Sequence, residues 1–253
     1  MKYDWQWSVY LQPAADGSGT WLMYLIVGLG WTLATALAAW VLALVIGAVV
    51  GTLRTTPMKW VVRAGNLYVE IFRNVPLLVQ MFLWYFVLPE LLPATLGDAM
   101  KQMAPPWGSY VPAVLCLGIY TSVRVAEQLR AGIQSLPRGQ SMAGTALGLT
   151  LPQTYRYVLL PMVFRIVLPP LTSEFLNIIK NSSLALTIGL LELTGRARSM
   201  QEFTFKVFEA FAAATVIYLL TNLVVVLLMR RLERRVRVPG FIGSAPQMPQ
   251  AGH

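Results

Sequence analysis

The chain has 253 residues, of which 56% are hydrophobic and 12% are charged. Soluble domains carry about 25% charged residues, so half that share, combined with long uncharged runs, indicates an integral membrane protein. The single cysteine and single histidine exclude a disulfide framework and a Cys/His metal cluster. The net charge of +9 does not indicate a nucleic-acid-binding surface, because the basic residues gather at the ends of apolar segments.

Five apolar segments follow one another and predict an all-α membrane protein with about five transmembrane helices. Residues 1–20 are polar with aromatic interruptions and are predicted to form an N-terminal segment that lies on the membrane surface. The proline-rich stretch Glu90–Ser109 is predicted to be an external loop, and Pro169 and Pro170 are expected to distort the fourth span. The predicted spans lie within Trp21–Leu53, Tyr68–Leu92, Tyr110–Ile133, Val163–Leu190 and Phe208–Met229.

Basic residues mark the cytoplasmic ends of these spans. Arg54, Lys59 and Arg63 follow the first segment, and an arginine cluster that ends at Arg237 follows the fifth. Because five spans put the two termini on opposite sides, the N-terminus is predicted to be extracytoplasmic and the C-terminus cytoplasmic. The loop Leu136–Pro161 is then cytoplasmic as well.

This cytoplasmic loop carries basic residues but no acidic residue, and it is too polar to cross a lipid core. Pro137 predicts a break after the preceding helix, with Gly139 as a flexible joint. A short helix is predicted from about Ser141 to Leu149, with Ser141 as its N-cap. A small, glycine-notched apolar patch on it, formed by Ala143, Ala146 and Leu147, is typical of a helix that lies in the groove of a partner.

The same loop resembles the cytoplasmic coupling loop of ABC-importer permeases, whose signature reads E-A-A, three residues, G, nine residues, I-x-L-P. Met142 stands here in place of the acid and Gly144 in place of the second alanine, so a salt bridge made by the family's glutamate is not expected. The stretch FRNVPLLVQ at residues 72–80 resembles the F-R-G-T-P-L-L-V-Q motif of the polar amino-acid branch of that family. The resemblance implies that the following residues couple the chain to an ATPase: Gly139, Met142, Ala143, Gly144, Gly148, Leu160 and Pro161.

The resemblance runs from about Trp21 to Val238 and is strongest to permease subunits of bacterial importers for glutamate and aspartate. It implies a type I ABC importer transmembrane domain over residues 21–238, a disordered cytoplasmic tail over 239–253, and a place in the bacterial inner membrane. It also implies four partners besides lipid: a second, similar permease, two copies of an ATPase, and an extracytoplasmic binding protein. The sequence has no G-x-x-x-x-G-K-[ST] loop, so ATP belongs to the partner and no cofactor is expected on this chain.

Two other classes remain possible from the residues alone, an intramembrane enzyme and a structural membrane scaffold. An enzyme needs paired acids or a nucleophile with a base, and the membrane part of the chain has no histidine and few acids. Copurification with an ATPase favours the permease over both alternatives.

Several polar residues within the spans are candidates for function. Glu127 and Arg130 lie one helical turn apart and are predicted to form a structural ion pair, either with each other or with neighbouring chain ends near the cytoplasmic face. Arg124 is predicted to contact an acidic substrate or to pair with Glu127; related permeases for other amino acids resemble one another in having a small residue at this position. A stretch that resembles the family's K-D-T-S-L motif adds four candidate substrate contacts: Lys180, Asn181, Ser182 and Ser183.

Glycines in the first span are interpreted as close helix contacts rather than as a phosphate-binding loop, because no strand and turn flank them. The four glycines are Gly28, Gly30, Gly47 and Gly51.

Overall fold

The computed structural model describes residues 3–17 and 19–236, and within these residues the chain is almost entirely helical. The described part contains no β-strand, only an isolated bridge between Pro13 and Thr20. The chain is therefore an all-α protein, as the sequence predicts. The predicted tail 239–253 and the end of the arginine cluster at Arg237 lie outside the described residues.

The helices follow the order of the apolar segments. In the first half of the chain they are α1 (Trp21–Leu53), α2 (Lys59–Asn74), α3 (Leu77–Phe82), α4 (Leu88–Leu91), α5 (Ala94–Lys101) and α6 (Trp107–Gln134). In the second half they are α7 (Arg138–Ala146), α8 (Leu151–Thr154), α9 (Leu160–Asn181), α10 (Leu193–Thr204) and α11 (Val207–Val236). Short 3₁₀ segments lie at Trp7–Leu11 and Ser182–Ile188, and π-helical segments lie at Leu83–Val87 and Tyr155–Leu159.

Four helical stretches in the described chain are long and apolar enough to cross a membrane, and a bent pair of helices supplies a fifth crossing if it counts as one span. The first, third and fifth predicted spans lie within α1, α6 and α11. The fourth stretch runs from Leu151 to Ile188. The structure therefore supports the architecture of about five transmembrane helices.

The second predicted span, Tyr68–Leu92, is wrong as a continuous helix. α2 ends at Asn74, the next helical stretch begins at Leu77, and the two are bent by 101°. Val75 is extended there because the residue before a proline is disfavoured in the helical region. The buried side chain of Gln80 donates hydrogen bonds to the carbonyls of Phe72 and Val75, at 2.8 and 2.9 Å, and so satisfies groups that the break leaves open.

α9 continues as an α-helix through Pro169 and Pro170, so neither proline breaks the fourth span. An interior proline removes one hydrogen bond from the helix but has a φ that a helix accepts. The irregular turns lie instead before and after α9, at Tyr155–Leu159 and Ser182–Ile188. The predicted external loop Glu90–Ser109 contains the short helix α5.

Small residues on α1 bring the central helices close together. A Cβ at Gly47 would lie 2.5 Å from Cβ of Val125 in α6, and a Cβ at Gly51 would lie 2.8 Å from the carbonyl oxygen of Ala126. Gly28 is equally restricted by α10, whereas Gly30 has open space around it. The interpretation of these glycines as close helix contacts is confirmed for three of them and wrong for Gly30.

A buried carboxylate holds the opposite end of α1 against α10 and α11. Glu192 is 0% exposed and accepts hydrogen bonds from the Thr32 and Tyr218 hydroxyls and from the backbone N–H groups of Thr194 and Gly195, at 2.8 to 3.2 Å. Burial raises the pKa of Glu192, while these four donors act in the opposite direction. Because every partner belongs to the helix framework, Glu192 is a structural residue.

The N-terminal segment packs at this same end of the molecule. The backbone N–H of Gln6 donates to Oε1 of Glu209 at 2.8 Å, and the Tyr10 hydroxyl donates to the Glu209 carbonyl at 2.8 Å. Glu209 lies in the first turn of α11, and Trp21 opens α1 beside Phe203 of α10. The segment therefore covers the end at which both α1 and α11 begin.

Candidate functional site: the coupling loop and the Arg124 cavity

The short helix in the loop between α6 and α9 exists, but its bounds differ from the prediction. α7 begins at Arg138 and ends at Ala146, so Ser141 lies inside the helix and does not cap it, and Gly139 lies in the first turn instead of forming a joint. Pro137 occupies the N-cap position in an extended conformation. The helix can start directly after it because the N–H groups of a first turn need no partner within the helix.

Gly148 ends α7 with a left-handed turn. Its φ is +74°, its N–H donates to the carbonyl of Thr145 at 3.0 Å, and the N–H of Leu149 donates to the carbonyl of Gly144 at 3.1 Å. This pair of bonds is the Schellman motif, in which glycine is favoured because it has no Cβ. Another residue at position 148 would strain this backbone conformation.

One side of α7 is packed and the other is open. Gly144 is buried, and a Cβ there would lie 2.9 Å from Cγ2 of Thr154 in α8. Met142 and Leu147 are 65% and 80% exposed, and Ala143 is exposed as well. The predicted apolar residues thus form a surface that no other described part of this chain covers.

The end of the loop is fastened to the first span. The Tyr155 hydroxyl donates to the carbonyl of Thr55 at 2.9 Å and lies 3.0 Å from the Thr55 hydroxyl. Thr55 follows directly after α1, and Tyr155 begins the π-helical turn that leads into Leu160 and Pro161 at the start of α9. These contacts connect the end of the loop to the ends of α1 and α9.

Of the two predicted pairings, the one between Glu127 and Arg130 is wrong, and Glu127 pairs instead with a residue at the end of a neighbouring helix. Oε1 of Glu127 lies 2.9 Å from Nη2 of Arg54, at the end of α1, and Nε of Arg54 donates to Oδ1 of Asn66 at 2.8 Å. The packing of α1, α2 and α6 brings this distant partner closer than the neighbour one turn away. Nε of Arg130 is buried and has no hydrogen-bond partner in the described chain.

A cavity of about 290 Å³ opens beside this pair, between α2, α6 and α9. Arg124 lines it but contacts Glu174 of α9 instead of Glu127, with 3.9 Å between Nη1 and Oε1. Nη2 of Arg124 donates to the Tyr120 hydroxyl at 3.1 Å. The Arg124 side chain is 49% exposed and the Glu174 side chain 11% exposed. The predicted pairing of Arg124 with Glu127 is therefore wrong, and about half of the Arg124 side chain is exposed. The cavity is lined by Phe72, Arg73, Tyr120, Val123, Arg124, Glu127, Gln128 and Glu174.

The other predicted substrate contacts lie elsewhere, at the end of α9. The hydroxyls of Ser182 and Ser183 donate to the carbonyls of Ile179 and Lys180, at 2.8 and 2.7 Å, so both bond back to their own helix. Lys180 is exposed and Asn181 is half-buried. The structure does not place these four residues in the cavity that Arg124 lines.

Three features of these sites have no signal in the sequence: Arg54 as the partner of Glu127, and Arg73 and Glu174 as cavity residues. The described residues contain no group of three or more His, Cys, Asp or Glu side chains that could hold a metal ion.

Comparison with protein families decides which membrane proteins this chain resembles. Residues 43–238 match the family described as "Binding-protein-dependent transport system inner membrane component". The chain belongs to this family of ABC-importer permeases. The permease is 46% identical, over 96% of its own length and 100% of the relative, to the glutamate/aspartate import permease protein GltJ of Escherichia coli K12. It is 33% identical to the glutamine transport system permease protein GlnP of the same organism, over 88% of this chain and 98% of that protein.

Solved structures agree with the family. The permease superposes on a chain from the crystal structure of an amino acid ABC transporter with histidines, with a TM-score of 0.71 and 31% identity over 85% of this chain and 95% of that one. An inward-facing MetNI methionine ABC transporter gives a TM-score of 0.72 at 20% identity, over 86% of this chain and 98% of that chain, which supports the fold alone. The chain is thus a permease subunit of the bacterial inner membrane and not an enzyme.

Proposed function

We propose that this permease imports acidic amino acids, glutamate and aspartate, across the bacterial inner membrane. GltJ, a relative that aligns with nearly the whole chain, carries glutamate/aspartate import in its name. The single observation that carries the proposal is the half-exposed Arg124 in a cavity between three helices. A guanidinium within a membrane span is costly unless it faces water or an anion, and it binds a carboxylate with two parallel hydrogen bonds.

The proposed assembly contains a second, similar permease, two copies of an ATPase that binds and hydrolyses ATP, and an extracytoplasmic binding protein. Membership of a binding-protein-dependent family supports ATPase and binding-protein partners in general. The number of copies is part of the proposal. Residues 21–238 form the transmembrane domain in this scheme, residues 1–20 lie outside, and residues 239–253 lie in the cytoplasm.

We further propose that α7 docks in a cleft of the ATPase. The exposed side chains of Met142 and Leu147 and the small residue Ala143 form the contact surface, and Gly148 sets the turn that ends it. Closure of the ATPases then moves the loop, and the hydrogen bonds between Tyr155 and Thr55 carry the movement to the spans. Gly139, Gly144, Leu160 and Pro161 support the surface by their positions in α7 and at the start of α9.

We also propose a second contact along the substrate path at Lys180, Asn181, Ser182 and Ser183. The exposed ammonium of Lys180 supports an attraction for anions at the end of α9. Acidic cargo would meet this group and the Arg124 cavity one after the other. The serine hydroxyls, which bond to their own helix, contribute less than the lysine.

Variants of Arg124 test the proposal. Arg124→Lys keeps the charge but loses the two-pronged contact with a carboxylate, so uptake of labelled glutamate per assembled complex should fall while basal ATP hydrolysis persists. Arg124→Ala should fall further. The matched control is Arg198→Ala, because Arg198 also pairs with a glutamate, Glu202 at 2.9 Å, but lies on α10 outside the cavity. Normal uptake per complex by Arg124→Ala would exclude Arg124 as a substrate contact.

A further inference from the structure

Glu174 is a buried carboxylate whose hydrogen bonds are incomplete. The residue is 8% exposed, on α9, and it lines the cavity that Arg124 also lines. Its Oε2 is buried and has no hydrogen-bond partner among the described residues. Buried polar atoms nearly always have a partner, and an unpaired carboxylate oxygen is among the most costly exceptions. Such an oxygen at a cavity wall indicates a donor that comes from a ligand.

The neighbouring side chains do not supply this donor. Arg124 approaches Oε1 only to 3.9 Å, beyond the 2.7–2.9 Å typical of a hydrogen bond between charged nitrogen and oxygen, and its Nη2 donates to Tyr120 instead. The Thr172 hydroxyl, on the same helix, donates to the carbonyl of Leu168 and lies 2.8 Å from Oε1 of Glu233. Glu174 therefore keeps its capacity to accept from a group in the cavity.

The charges around the cavity also define what that group is. Arg73 and Arg124 line the cavity with two positive charges, and Glu174 lines it with one negative charge. Glu127 lies there as well, but its carboxylate is already paired with Arg54. An acidic amino acid carries two carboxylates and one ammonium, so its three charges are the opposites of these three side chains. The volume of about 290 Å³ suits a small ligand of this kind.

We propose that Glu174 binds the ammonium group of the transported amino acid, while Arg73 and Arg124 face its two carboxylates. The inference rests on the proposed import of acidic amino acids and adds the residue that distinguishes an amino acid from a simple dicarboxylate. No covalent step is involved. The three ammonium hydrogens provide the donor that Oε2 lacks.

The test compares glutamate with glutarate, which has the same two carboxylates but no ammonium. Binding of each compound is measured on the purified permease–ATPase complex in lipid nanodiscs without the binding protein, so that delivery does not select the ligand. The wild-type complex should bind glutamate more tightly than glutarate. A hydrogen bond to a charged group contributes about 1.5–3 kcal/mol, so Glu174→Gln should weaken glutamate binding by about 10- to 150-fold.

Glutarate binding is the internal control, because it should be unchanged or tighter in Glu174→Gln. Glu174→Asp should retain part of the preference for glutamate and covers the case in which Glu174→Gln does not assemble. Glu202→Gln, on α10, should behave like the wild type. If both Glu174 variants keep the wild-type ratio of glutamate to glutarate affinities, the inference is overturned while the proposed function stands. If the wild-type complex binds neither glutamate nor aspartate, the proposed function fails first.

Discussion

The pairing of Glu127 with Arg54 allows a sharp test of the helix framework. The Arg54 side chain is 4% exposed and the Glu127 side chain 38% exposed, with 2.9 Å between Nη2 and Oε1. Exposed ion pairs contribute about 0–1 kcal/mol, and breaking a fully buried pair costs about 3–5 kcal/mol. This half-buried pair lies between these cases, so we expect a coupling free energy of about 1–3 kcal/mol.

A double-mutant cycle with Arg54→Gln and Glu127→Gln measures this coupling. The double variant should be destabilised less than the two single variants together, by about 1–3 kcal/mol. For a domain of this size that corresponds to a difference of about 2–12 °C in the thermal midpoint. The assay is thermal unfolding of the solubilised complex, followed by the fraction that remains monodisperse.

The cycle of Glu127→Gln with Arg130→Gln is the control, since these residues are one turn apart but not paired in the structure. An i,i+3 pair on a helix contributes at most about 0.5 kcal/mol, so this second cycle should be close to additive. Stronger coupling of Glu127 to Arg130 than to Arg54 would refute the packing of α1 against α6 described here.

Three further predictions concern coupling, helix packing and orientation. Gly148→Arg should leave membrane insertion intact but abolish substrate-stimulated ATP hydrolysis, because a side chain strains the left-handed turn at φ +74°. Stimulation at the wild-type level would contradict the proposed role of α7 in coupling. Gly47→Leu should strongly reduce the amount of assembled complex, since its Cβ would lie 2.5 Å from Cβ of Val125. Gly30→Leu should not reduce it, because no atom lies within 4 Å of a Cβ at that position. Equal yields of the two variants would contradict the close contact between α1 and α6. Alkaline phosphatase fused within residues 94–109 should be active and a fusion after Arg237 inactive, because basic residues mark the cytoplasmic side of the membrane. The reverse pattern would contradict the predicted orientation.

The sequence was sufficient for features that depend on local pattern. Apolar runs of about 20 residues predict spans directly, and α1, α6 and α11 agree with the prediction. The break before Pro76 also has a local signal, since a residue before proline avoids the helical region of φ and ψ. The long apolar run around it, however, indicates one continuous span. In the same way, Gly148 is a signal that α7 ends before it, whereas the helix was predicted to continue to Leu149.

The contacts of the charged residues could not be predicted, because they depend on packing between distant segments. Glu127 has a candidate partner one turn away, and nothing local indicates that Arg54, 73 residues earlier, lies closer. The unpaired oxygen of Glu174 is likewise a consequence of how α2, α6 and α9 enclose a cavity. Helical spacing predicts which residues share a face of one helix, but it does not determine which residue of another helix lies opposite.

The most direct test of the central claim is ATP-dependent uptake of labelled amino acids by proteoliposomes that contain the complete transporter. The permease is purified with its ATPase, reconstituted with the second permease and the binding protein, and supplied in turn with glutamate, aspartate, glutamine and histidine. We expect uptake of glutamate and aspartate that requires ATP inside the vesicle lumen, on the side where α7 meets the ATPase. Uptake of glutamine or histidine without uptake of either acidic amino acid would contradict it.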